Sequence, residues 1–347
     1  MKKSSNAYAL PLLLTTIGAA IAYTFVPAVH RVRPGQVAII TGGSRGLGLA
    51  LAHRFGRAGC KLVLAARSAD ELELARDQIL RSRDVTNEDD ILLVVADLND
   101  PEQCQGLIAS ALNAFGALDL LINNAGIIEV GPVEDQPLEA YERAMQTNFF
   151  AALYTSQAAL PHMLSQRAGM IVNISSIGGK LAVPHMLPYS AAKFALTGYS
   201  EGLHAELRHK GVRVTTVCPG LMRTGGEEHA KFLGQHDKEK AWFALSAKTP
   251  LVAASVTYAA NRVFDAVDSG RAEITITPQA WLAARFNGLC PETTQAVAAF
   301  ANQYLLPAGT RTVPPAFEPH VHDEGPVGLP AEPGAGLAEP FADPSPS

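Results

Sequence analysis

Val37-Ala38-Ile39-Ile40-Thr41-Gly42-Gly43-Ser44-Arg45-Gly46-Leu47-Gly48 joins four consecutive apolar residues to a glycine-rich turn, and a helical pattern follows over Gly46–Ala58. A short apolar run without alternation reads as a strand buried on both faces, as in a parallel sheet. Glycines at 42, 46 and 48 let the chain turn sharply and let a helix pack closely on the strand it follows. The same order then repeats along the chain. Val- and Ile-rich runs at Gln36–Ile40, Lys61–Ala65, Ile91–Ala96, Leu118–Asn123, Met170–Ile174, Val212–Val217 and Glu273–Thr277 predict strands. Helical patterns at Ala69–Ser82, Glu102–Phe115, Leu138–Gln166, Tyr189–Lys210 and Leu251–Ser269 lie between them. Alternation of this kind specifies an α/β fold, a doubly wound parallel sheet of about seven strands with helices on both faces.

Outside this region the chain changes character, giving three zones: 1–33, 34–306 and 307–347. Ser4–Val29 holds no charged residue and Ala9–Ala28 is mostly apolar. Twenty helical residues span ~30 Å, about one hydrocarbon core, which predicts a membrane-attached segment. Two rival readings are a signal peptide with Ala20-Ile21-Ala22 as cleavage site and a helix packed on the domain. Ala308–Ser347 carries nine Pro, five Gly, one Arg and six acidic residues, which predicts a disordered tail. His320 and His322 in that tail read as bystanders, and no spacing in the chain suggests a metal site. The tail's charge of 1 − 6 = −5 equals that of the whole chain, so the rest is neutral. That balance argues against nucleic acid as a partner. Cys60, Cys104, Cys218 and Cys290 are widely spaced, which excludes a disulfide scaffold and fits a reducing compartment.

A helix opening after a glycine turn offers free N–H groups and a positive dipole end to a phosphate. Gly42, Ser44, Arg45, Gly46 and Gly48 are therefore the candidate cradle for the pyrophosphate of a dinucleotide. An acid at the end of the second strand would mark NAD, but Arg67 stands there, with Arg45 in the loop. Two guanidinium groups suit a 2′-phosphate, so NADP(H) is favoured and NAD(H) is the alternative; both arginines being plain surface residues is the bland reading.

Further along come Asn123-Asn124-Ala125-Gly126, Asn148, Asn173-Ile174-Ser175-Ser176 and Tyr189-Ser190-Ala191-Ala192-Lys193. Tyr189 and Lys193 are four apart and share one helix face. A phenol of pKa ~10 is a poor base at neutral pH. An ammonium ~4 Å away gains up to ~4 kcal/mol with a phenolate at an effective dielectric of 20, enough to bring Tyr189 towards 7. That is the range in which an acid–base catalyst works.

The glycine loop, NNAG, Ser176 thirteen residues before Tyr189, YSAAK, and Pro219-Gly220 ahead of Thr224 resemble, in this order, the short-chain dehydrogenase/reductase family and its Rossmann-type fold. The resemblance implies that Tyr189 exchanges a proton with the substrate oxygen, that Ser176 hydrogen-bonds the same oxygen, and that Lys193 also holds the nicotinamide ribose. It further implies that Asn148 positions a water, that Asp97 meets the adenine, and that Thr224 lies beside the carboxamide. Asn124 reads as a tie within the sheet at the cofactor turn. The expected activity is hydride transfer between NADP(H) and a carbonyl or secondary alcohol. A dinucleotide-binding sensor without turnover and a sugar-nucleotide epimerase or dehydratase are the competitors. Leu221–Phe243 is expected to cover the substrate, His185 to face water, and Tyr199 to sit in a core or an interface. The address implied is membrane association with the catalytic domain on the cytoplasmic side. Homo-oligomers paired through Leu138–Gln166 and Tyr189–Lys210 follow from the resemblance.

Overall fold

The computed structural model describes residues 31–223, 225, 228–248 and 253–311, together with Thr15 and Gly18. Most of the apolar stretch Ala9–Ala28, Thr224 and the tail beyond Arg311 lie outside the described residues. The strands are β1 (Val37–Thr41), β2 (Lys61–Ala66), β3 (Ile91–Val95), β4 (Leu120–Asn123), β5 (Gly169–Ile174), β6 (Val212–Cys218) and β7 (Glu273–Thr275). They form one seven-stranded sheet in the order β7-β6-β5-β4-β1-β2-β3. Every pairing in it is parallel; Ile39, for example, is opposite Val63 of β2 and Leu121 of β4. The order reverses between β1 and β4, so a crevice opens there at the carboxyl ends of the strands.

The helices are α1 (Gly46–Arg57), α2 (Ala69–Arg81), α3 (Pro101–Phe115), α4 (Leu138–Met145), α5 (Ala151–Gln166), α6 (Leu187–Leu207), α7 (His236–Lys248), α8 (Val256–Asp268), α9 (Pro278–Leu289) and α10 (Pro291–Leu305). Both faces of the sheet are covered. In β1, Ala38 and Ile40 join a core with Leu51 and Phe55 of α1 and Val263 of α8, while Val37 and Ile39 join another with Leu107 of α3, Met163 of α5 and Leu207 of α6. All four residues are at most 1% exposed, which explains why the strand reads as an unbroken apolar run.

Several boundaries differ from the sequence reading. Leu138–Gln166 is not one regular helix: a π turn over Gln146–Phe150, with Ala151 N–H donating to the Gln146 carbonyl, separates α4 from α5. The helix read at Leu251–Ser269 begins at Val256, because the Ser255 hydroxyl accepts from the Tyr258 N–H and caps it. The last strand ends at Thr275, and Thr277 caps α9 by accepting from Ala280 N–H. The folded chain also runs past Leu306: Thr310 N–H donates to Asp135 at 2.8 Å. Among the described residues no helix is long and apolar enough to cross a membrane.

Candidate active site

The cofactor end of the crevice is a groove of about 420 Å³ lined by Gly42, Ser44, Arg45, Gly46, Arg67, Asp97 and Asn124, among others. Gly48 lies behind the turn: a Cβ there would stand 1.9 Å from the Gly42 carbonyl oxygen, so only glycine lets α1 approach the turn. Gly42 and Gly46 take the left-handed backbone, with φ of 61° and 55°. Arg45, at the N-cap, makes no side-chain cap, so the first N–H groups of α1 face the groove without a protein side chain across them. Asn124 is spent on the fold: its Nδ2 donates to the carbonyls of Thr41 (2.9 Å) and Gly42 (3.2 Å). Asp97 holds the rim, its Oδ1 accepting from Asn99 N–H at 3.1 Å.

The two arginines differ. Arg45 donates to Glu71 at 2.6 Å, and Ser44 Oγ donates to the other oxygen of the same carboxylate at 2.9 Å. Arg67 is exposed and has no ion pair among the described residues. Glu71 went unnoticed in the sequence. The parallel β1–β2 pairing sets α2 beside the glycine loop, and Glu71 lies in the first turn of α2.

The chemical end gathers residues from β5, α6 and the π turn. Ser175 turns into the fold, its Oγ donating to the Lys193 carbonyl at 3.0 Å and meeting Thr197 Oγ1 at 2.7 Å. Ser176 faces the other way and hydrogen-bonds Tyr189, while its Oγ accepts from Gly178 N–H at 3.0 Å. Gly178 fits between them, since a Cβ there would be 3.2 Å from the Tyr189 ring and 3.5 Å from Ser176 Oγ. Lys193 is 4% exposed, and its ammonium donates to the Ile174 carbonyl at 2.8 Å. Asn148, 1% exposed, is held by Ile127: Oδ1 accepts from its N–H at 3.0 Å and Nδ2 donates to its carbonyl at 3.1 Å. A Cβ on Gly126 would sit 2.6 Å from Asn148 Oδ1 and 3.6 Å from Lys193 Nζ, so that glycine keeps the two close. Thr224, expected beside the carboxamide, lies outside the described residues.

The proton chemistry corrects one expectation. Tyr189 is not drawn towards 7: burial pushes its hydroxyl above the ordinary phenol range, and the Ser176 hydrogen bond only partly opposes this. Lys193 shifts instead, brought down to about 8 by burial. Its ammonium is engaged with the Ile174 carbonyl, with Nζ 5.7 Å from the Tyr189 ring centroid. The attraction expected at ~4 Å is therefore weaker than the cost of taking both groups out of water.

His185 also departs from expectation. It is 5% exposed rather than facing water, with a left-handed φ of 65°. Its Nδ1 lies 2.9 and 3.0 Å from the two oxygens of fully buried Glu239, which also accepts the Trp242 indole N–H at 2.6 Å. This link ties α7 to the segment that leads into Tyr189. Around it Val130, Met186, Phe232 and Phe243 form a small apolar cluster against which the Tyr189 ring packs. Tyr199 stacks edge-on with Phe149 of the π turn, centroids 5.9 Å apart. Among the described residues no group of three or more His, Cys, Asp or Glu side chains is placed to hold a metal.

Comparison with known proteins follows the same outline. The family profile for short chain dehydrogenases matches residues 36–231. The chain is 40% identical over 190 residues to the dehydrogenase/reductase SDR family protein 7-like of Anopheles gambiae, covering 55% of this chain and 60% of that protein. The match thus spans about three-fifths of that relative's length. It is 31% identical over 283 residues to the dehydrogenase/reductase SDR family member 7B of Mus musculus, covering 80% of this chain and 84% of that one. A crystal structure of a short chain dehydrogenase/reductase from Burkholderia phymatum in complex with NAD aligns with a TM-score of 0.69 at 26% identity, over 76% of this chain and 96% of that one.

Proposed function

The chain belongs to the short-chain dehydrogenase/reductase family, and from that footing we propose that it transfers a hydride reversibly between NADP(H) and a carbonyl or secondary-alcohol substrate. The observation that carries this reading is the meeting of Ser176, Tyr189 and Lys193 beside a groove whose glycine turn packs too closely on α1 to admit a Cβ at position 48. The groove fits a dinucleotide: the open end of α1 would take the pyrophosphate, Asp97 the adenine side, and Arg67 the 2′-phosphate. When bound, the nicotinamide supplies or accepts the hydride. The protein's part is then a proton and an electrostatic frame. Tyr189, neutral because its hydroxyl is held above the phenol range, is the acid that protonates the developing alkoxide in the reducing direction. Ser176 donates to the same oxygen and stabilises its charge. Lys193 places a cation behind the pair, and Asn148 positions a water beside it through the remaining lone pair of its Oδ1. A panel of ketones and alcohols assayed with NADPH and NADH tests the activity; no turnover with intact cofactor binding would favour a sensor.

NAD(H) has one observation on its side. Glu71 already engages Arg45 and Ser44, so a 2′-phosphate arriving there meets a carboxylate as well as a guanidinium. Arg67 decides between the two. A bidentate, charge-assisted contact is worth ~1.5–3 kcal/mol, or ~10- to 150-fold in affinity. Arg67→Asp is expected to weaken NADPH binding by that factor and to spare NADH, measured by titrating cofactor fluorescence. Equal loss of both cofactors would show that Arg67 supports the fold instead.

The same reading places the protein on a membrane through the charge-free stretch Ser4–Val29, with the folded region on the cytoplasmic side, where nicotinamide cofactors are plentiful. Pairing of copies through α4–α5 and α6 remains part of the proposal, tested by the mass of the purified protein in solution.

A further inference from the structure

In a parallel sheet all strands start at one edge, so the residues just before each strand share a face. Here that face is divided. At its β3 end, Asp84 and Asp90 are matched by Arg57 and Lys61. From β1 across to β7 it is basic. Arg31 and Arg33 precede β1, Arg167 precedes β5, Lys210 precedes β6 and Arg271 precedes β7; all five are exposed and none has an ion pair among the described residues. Arg31 and Arg33 line one small cavity with Ala168 and Gly169, the residues after Arg167. Gly211, next to Lys210, packs on the Arg167 backbone. Arg213, at the start of β6, has its Nε and one Nη buried without a partner. Asp119, which lines the same cavity as Arg31 and Arg33, and Asp268 each accept one backbone N–H, from Val37 (2.8 Å) and Val32 (3.0 Å), and offset part of this charge. Glu206, exposed near the end of α6, and Asp265, exposed in the last turn of α8, are further acids close by, fewer than the cations around them.

The chain leaves the folded region at this same face. Arg31 is preceded in sequence, after His30, by the charge-free stretch Ser4–Val29. We infer that the basic edge between β1 and β7 is a docking surface for anionic lipid headgroups. The inference rests on the reading of that stretch as membrane-attached. A cation near an anionic membrane surface is worth about a fivefold gain in partitioning. Seating this edge on the bilayer turns the opposite edge, with the glycine loop, Ser176 and Tyr189, away from it. β1 has five residues, so ~17 Å of sheet separates the two edges. Substrate then enters from the aqueous side.

The test uses the full chain on vesicles of phosphatidylcholine alone or with 30% phosphatidylserine. Cys290 is exposed near the catalytic edge, whereas Cys60, Cys104 and Cys218 are buried. One fluorophore is placed on Cys290, and another on Lys210→Cys in a Cys290→Ser background; nitroxide headgroup lipids serve as quencher. The expected result is quenching at 210 and not at 290, present only with phosphatidylserine and lost in 0.5 M salt. Lys210→Gln with Arg271→Gln should lower the phosphatidylserine-dependent part of binding about 25-fold. Quenching at 290, or at neither site on vesicles that do bind the protein, would overturn the docking face alone. Failure to bind either vesicle would overturn the membrane reading on which it rests.

Discussion

Tyr189→Phe is expected to lower turnover by 10²- to 10⁴-fold, the range for loss of a positioned acid–base group. The substitution keeps the ring that packs against the apolar cluster of Val130, Met186, Phe232 and Phe243, so the fold should be unchanged. Cofactor affinity should also hold, because the groove is lined by other residues. Steady-state kinetics beside a cofactor titration check both halves. Near-normal turnover would remove Tyr189 from the chemistry. The pH dependence has a stated direction too: with the hydroxyl held above the phenol range, reduction should persist to higher pH than a tyrosine poised near 7 would allow.

Lys193→Met should separate activity from stability. Loss of the cation behind Tyr189 is expected to lower turnover by ~10²-fold, equivalent to ~3 kcal/mol at an effective dielectric of 20 for a separation of 5.7 Å. The cofactor-free protein should nevertheless become more stable at neutral pH. The Lys193 pKa falls from 10.5 to about 8 on folding, so below pH 8 the folded state carries the cost of a buried ammonium, about 3 kcal/mol. Removing the lysine relieves that cost, less ~1 kcal/mol for the bond to the Ile174 carbonyl. In the unmutated protein the unfolded state binds more protons between pH 8 and 10.5, so stability rises through that window. Thermal melts from pH 7 to 10.5 should show the variant ahead at pH 7 and the gap closing upward. A variant that melts lower at every pH would mean the ammonium is fully compensated inside the fold.

The sheet was legible because its strands are buried on both faces, so that short apolar runs such as Val37–Ile40 recur between helical patterns and end in turn residues. The late start of α8 and the early end of β7 are set by caps that the sequence does carry, Ser255 and Thr277, while α9 and α10 are not read from periodicity at all. Ser176, Tyr189 and Lys193 were legible by spacing and order, but their energetics were not. Whether Tyr189 rises or falls depends on how much water is removed around it, and the cluster that covers it includes Val130, Phe232 and Trp242, distant in sequence. The Glu239–His185 contact joins residues 54 apart. No local pattern announces such a pair. Glu71 could have been found by asking which first-turn residue of α2 faces the glycine loop once β2 lies beside β1.

The π turn at Gln146–Phe150 bears on which length changes the gene can tolerate. A wide turn of this kind holds one residue more than an α-helix would need over the same stretch. Deleting a single codon within 146–150 would let the helix run on regularly with α4 and α5 still in register, but the bulge that presents Asn148 and Phe149 would be gone. Asn148 would lose its two bonds to Ile127, and Phe149 its edge-on contact with Tyr199. Deletion scanning of this chain should therefore find a sharply intolerant site inside what reads as an ordinary helix.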